Sequence, residues 1–98
     1  MSEQQPLVLL ITIEVLIPYA VSLKDKRSAV SGLKERIRSR FNASVAEVGY
    51  QDKWQRAVLA VSMVGGERRA LESEAARLQT LCEEAGDLQI ARVRQDWL

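Results

Sequence analysis

The sequence predicts an α+β domain of order β-α-β-β-α-β, with two helices packed on one face of a four-stranded antiparallel sheet. Three observations predict it. Apolar residues alternate with a period of two near both ends of the chain and on either side of a polar turn in the middle. Two intervening stretches carry apolar residues three and four apart. The 98 residues suffice for one core and are too few for two.

The first strand is expected over Leu7–Ile17, where the odd positions are all apolar and the even positions are mixed. Pro18 ends it, having no N–H for a ladder. Residues 1–6 are expected to be a flexible tail. A helix follows from Ser22 to Arg40. Ser22 suits the N-cap, Asp25 supports the first turn, and Val30, Leu33, Ile37 and Phe41 form one apolar face. Gly32 lies inside this helix, where close packing on the sheet would explain it. Ser44–Tyr50 and Trp54–Val64 read as strands joined by Gln51-Asp52-Lys53, a hairpin. Gly65-Gly66 breaks the second of them. Glu67–Ala85 is the second helix, with Leu71, Ala75, Leu78, Cys82 and Ala85 on one face and Gly86 at its C-terminal cap. Leu88–Leu98 alternates again as the last strand.

Composition bounds the function. The chain is 47% hydrophobic and 5% aromatic, with 14 basic and 13 acidic residues. It has no histidine, which removes the commonest general base and metal ligand. Its single cysteine, Cys82, allows no internal disulfide and sits on an apolar helix face as a core residue. No catalytic constellation, metal set or cofactor motif is present, and the reading is of a non-enzymatic binding protein. The N-terminus lacks the positive region of a signal peptide, and Leu7–Ile17 is too short to span a bilayer. A cytoplasmic protein is expected.

The charge is unevenly spread. From Ser22 to Arg56 nine basic residues face four acids, whereas from Glu67 to Glu84 three face five. Lys24, Lys26, Arg27, Lys34 and Arg38 on the first helix, with Lys53, Trp54 and Arg56 at the hairpin, are the candidates for holding RNA. The cations would meet phosphates and Trp54 would stack a base. A solvated helix face is the plain alternative. Glu47 and Asp52, near Arg56, suit ion pairs better than acid–base chemistry. With both helices on one face, the other face of the sheet is uncovered. Val8, Leu10, Leu16, Trp54 and Val58 are its apolar candidates, and a homo-oligomeric (dimeric) protein–protein or small-ligand binding module using that face is the alternative function.

Two stretches carry a family resemblance. Ser22-Leu23-Lys24-Asp25-Lys26-Arg27 is like an S-L-K-x-K-R signature. Phe41 to Ala57 is like F-N-x-S-V-A-E-V-x-x-x-D-x-W-Q-R-A. Together they resemble the YlxP-like family of small bacterial proteins of unknown function, and the likeness runs along nearly the whole chain. The resemblance implies a ferredoxin-like fold. The family's genes often lie beside those for a translation initiation factor and ribosome-binding factor A, which implies RNA or the ribosome as a partner. Relatives often carry His where this chain has Tyr50.

Overall fold

Alternation along the strands decides which side of the sheet is buried. In the computed structural model, which describes residues 5–98, Leu9, Ile11, Ile13 and Val15 of β1 (Leu7–Leu16) all point into the core. Ala57, Leu59, Val61 and Met63 of β3 (Arg56–Gly65) do the same. The other elements are α1 (Leu23–Arg40), β2 (Ala43–Gly49), α2 (Arg68–Glu83) and β4 (Gln89–Trp97). The strands form one sheet in the order β2-β3-β1-β4, with every neighbouring pair antiparallel. This is the ferredoxin-like arrangement, with β1 and β3 central and β2 and β4 at the edges. The first four residues of the expected tail lie outside the described residues.

Ser22 caps α1 as its position suggested. Its Oγ accepts from the Asp25 N–H at 3.1 Å, and the Asp25 carboxylate accepts from the Val21 N–H at 3.0 Å. One orphan donor of the first turn is thereby satisfied, and the residue before the cap is tied back to the helix. Val30, Leu33 and Ile37 lie under the helix, and α2 contributes Leu71, Ala75, Leu78, Leu81 and Cys82 to the same core.

Several expectations need correction. A Cβ added at Gly32 meets nothing within 4 Å, so this glycine faces solvent and serves no close packing. The α2 cap is Glu84, and Gly86 has no positive φ. Strand β3 begins at Arg56 rather than Trp54, because Gln55 is used elsewhere. Its side-chain amide donates to the carbonyls of Pro18 and Ala20, and its own carbonyl accepts from the Ile17 N–H. Trp54 therefore sits in the hairpin loop and not on the sheet.

Both edge strands are bulged at the same level. On β2 the pairing jumps from Glu47↔Leu59 to Gly49↔Val58, leaving Val48 unpaired. On β4 it jumps from Glu14↔Arg92 to Val15↔Ile90, leaving Ala91 unpaired. Glu14 and Val58 are themselves partners, so one row of the sheet carries both irregularities.

Candidate functional site: a locked hairpin and two charged surfaces

Lys26 lies four residues before Val30, in the 4-3-4 row that continues to Leu33 and Ile37, so its stem enters the core. It is 1% exposed. Its Nζ donates to the carbonyls of Tyr50 (2.7 Å), Gln51 (3.1 Å) and Arg56 (3.3 Å). Glu47, on the core side of β2, places Oε2 3.0 Å from the same nitrogen. That oxygen is buried and has no hydrogen-bond partner among the described residues. The two observations agree if the three ammonium protons go to the three carbonyls and Glu47 supplies charge without receiving a proton.

This corrects the place of Lys26 among the RNA contacts. Its charge is used inside the protein, and Lys24 and Arg27 are the surface cations that remain in the first turns of α1. The signal was in the sequence: Lys26 belongs to the apolar row, not to the basic stripe. The expected pairing of Glu47 with Arg56 is also replaced, since Glu47 turns to Lys26 and Arg56 pairs with Glu14.

The remaining candidates separate into two surfaces. Lys24, Arg27, Lys34 and Arg38 form a stripe along one flank of α1. Lys24 and Arg27 are exposed, Lys34 is half-buried, and none of these three has an ion-pair partner among the described residues. Arg38 pairs with Glu35 at 3.3 Å and donates to the Val45 carbonyl at 3.3 Å, so the stripe runs beside edge strand β2. Lys53 and Trp54 stand exposed at the hairpin, Trp54 at 52%. Gln55 ties this loop to the Pro18–Ala20 segment that carries exposed Tyr19.

Arg56 belongs to the other surface, the open face of the sheet. Its guanidinium pairs with Glu14 and lies 4.6 Å from the centre of the Tyr50 ring. Thr12, Val58, Arg92 and Arg94 complete a depression there. The sequence reading missed Glu14, Arg92 and Arg94. Alternating charge along 92–96 was visible, but the Ala91 bulge that sets its register was not.

The apolar candidates of the open face are not brought into one patch. Val8 and Leu10 lie toward one end, Leu16 lies opposite Arg56 at the other, and Val58 lies beneath the charged cluster. Trp54 is off the sheet altogether. Among the described residues no group of three or more His, Cys, Asp or Glu could hold a metal ion, and no helix is long and apolar enough to cross a membrane.

The sequence model of the family described as "Protein of unknown function (DUF503)" matches residues 8–95. The chain belongs to this family. The chain is also similar to the "Uncharacterized protein YlxP" of Bacillus subtilis (strain 168), 32% identical over 84 residues, covering 86% of this chain and 91% of that one. The expected YlxP-like membership is thus shown, and the residues that carried it converge on the hairpin: Lys26, Glu47, Gln55 and Arg56 all make the contacts described above.

Among solved structures, the de novo designed protein Foldit4 is similar with a TM-score of 0.55 at 15% identity, covering 94% of this chain and 97% of that one. At that identity the likeness concerns the fold alone. A putative antibiotic biosynthesis monooxygenase from Nitrosomonas europaea aligns with a TM-score of 0.49 at 15% identity, covering 100% and 92% of the two chains. That likeness is too loose to bear on activity.

Proposed function

We propose that this DUF503 protein is a non-enzymatic RNA-binding protein that uses the α1 flank and the β2–β3 hairpin. The observation that carries the reading is the row Lys24, Arg27 and Lys34, three cations on one flank without carboxylate partners among the described residues. Cations on a helix stripe spaced over about 15 Å match a run of phosphates rather than a single anion. Exposed Trp54 and Lys53 extend the surface at the hairpin and offer a ring for stacking. Arg38 is partly engaged by Glu35 and Val45 and would contribute less.

The family signature supports this reading by fixing the hairpin to α1 through Lys26. The preferred partner is structured RNA, including that of the ribosome. Filter binding to purified ribosomal subunits and a structured RNA, titrated with salt, tests it. Contacts to four phosphates predict a log–log slope of roughly −3 to −4. Lys24→Glu with Arg27→Glu should abolish binding, while Arg69→Glu on α2 should not. Binding that ignores salt, or survives the double reversal, would overturn the proposal.

A second reading rests on the apolar end of the open sheet face. Val8 is partnered with exposed Val64, and the Leu98 N–H bonds to the Val8 carbonyl, so Val8, Leu10, Val64 and Leu98 gather there. A second copy of the chain would cover them. Sedimentation equilibrium showing a monomer at millimolar concentration would remove this reading.

A further inference from the structure

The centre of the open sheet face is polar, strained and shaped, unlike the rest of that face. Three guanidiniums, Arg56, Arg92 and Arg94, meet two carboxylates, Glu14 and Asp96. Arg56 takes Glu14, and Arg94 donates Nε to Asp96 at 3.0 Å. Arg92 lies directly across from Glu14 in the ladder but has no ion-pair contact among the described residues. Arg92 and Arg94 point to the same face two residues apart; Asp96 engages Arg94 through Nε, and Arg92 has no carboxylate partner among the described residues.

Tyr50 forms one wall. Its φ of 55° is left-handed, a conformation that costs a tyrosine of order 1 kcal/mol or more and persists only when its surroundings enforce it. Two hydrogen bonds to its carbonyl hold it in place, from buried Lys26 at 2.7 Å and from the Lys53 N–H of the turn at 3.0 Å. Tyr50 is 41% exposed, and its ring carries Arg56 at 4.6 Å. Gly49 makes the approach possible, because a Cβ there would stand 3.1 Å from the Val58 side chain on the floor. The bulges at Val48 and Ala91 flank this row on both edges of the sheet, and bulges characteristically re-aim side chains beside sites. The resulting depression is about 440 Å³. That far exceeds an inorganic anion and falls in the range of small-ligand sites.

We propose that this depression binds a phosphate monoester carrying a planar ring, of the nucleoside monophosphate class. The phosphate is held by Arg92 and Arg94, with Thr12 lining the same depression, and the ring lies against Tyr50 over Val58. Glu14, already paired with Arg56, keeps that guanidinium under the tyrosine and leaves Arg92 for the ligand. The site is on a different surface from the α1 flank and stands or falls separately from the RNA reading.

The same ring-plus-phosphate chemistry is offered by a free nucleotide and by the 5′-phosphorylated end of an RNA. Calorimetric titration of the full chain with AMP, adenosine, inorganic phosphate and a 5′-phosphorylated tetranucleotide separates these. AMP should bind more tightly than adenosine or phosphate, and the tetranucleotide binds as well as AMP only if an RNA end is the natural source. Arg92→Ala removes a charge-assisted contact and should weaken AMP by about tenfold or more. Tyr50→Leu should reduce AMP to the level of inorganic phosphate. Lys24→Glu with Arg27→Glu, which tests the RNA surface, should leave AMP binding unchanged. Far-UV circular dichroism checks that each variant is folded. No AMP binding at millimolar ligand, or affinity unmoved by Arg92→Ala, overturns the proposal.

Discussion

A lysine ammonium with no access to water is costly unless every proton and the charge itself are answered. Lys26 is answered fully, by three carbonyls of the hairpin and by the Glu47 carboxylate. Lys26→Met fits the apolar stem but removes its hydrogen bonds to those carbonyls and leaves Glu47 with no counter-charge. The loss should be about 3–5 kcal/mol, measured by urea unfolding. Glu47→Gln keeps the shape and removes only charge, so a smaller loss of about 1–2 kcal/mol is expected. At Gly32 the sign reverses. The position is helical, exposed and surrounded by open space. Gly32→Ala should therefore stabilise the protein by about 0.5–1 kcal/mol, and a fall in the urea midpoint would contradict this.

At the scale of elements, the β2–β3 hairpin is fitted to its neighbours by small adjustments. Gly49→Ala would press a methyl against Val58 and should destabilise the hairpin. Val58→Ala should relieve much of that strain, a coupling that a double-mutant cycle reads directly. Helix α2 shows a different dependence. Burial, with Glu83 adding, pushes the Cys82 thiol from its ordinary 9.0 up to about 11. The unfolded chain thus loses this proton first. Between about pH 9 and 11 it binds fewer protons than the folded state, so stability falls as pH rises through that window. Cys82→Ala should lack this part of the decline, as thermal unfolding across the range would show. Edge strand β2 is also guarded, since Arg38 takes the Val45 carbonyl and Gln51 the Glu47 carbonyl. A partner at this edge meets side chains rather than a bare ladder, which favours phosphate recognition over strand addition.

For the whole molecule, the fold was legible because its signals are local. The odd-numbered apolar positions of β1, the Ser22–Asp25 cap and the row Val30–Leu33–Ile37 each stand in a few residues of sequence, and each is where the structure puts it. The candidate surfaces were legible only in part. Lys24, Arg27, Lys34 and Arg38 follow from helical spacing alone. Lys26 was misplaced because basic residues cluster around it, although its spacing from Val30 marks it as inward. The pocket of the open face depends on which residues oppose Glu14, and that register is set by Ala91 and Val48, which no local pattern announces. Gln55 likewise hides its role, because its partners Pro18 and Ala20 are distant in sequence.

The Lys26 network also governs time. An ammonium gives up its hydration only when all its new partners are in place, and here they come from residues 47 to 56, far along the chain. Such a contact is expected to form after the rate-limiting barrier of folding. Removing it should leave the refolding limb of a stopped-flow chevron nearly unchanged and steepen the cost onto unfolding, whose rate should rise by about two orders of magnitude or more for a 3–5 kcal/mol loss. On this expectation the buried lysine is a latch on the native lifetime, and its removal should let the hairpin that bears Tyr50 and Trp54 open more often.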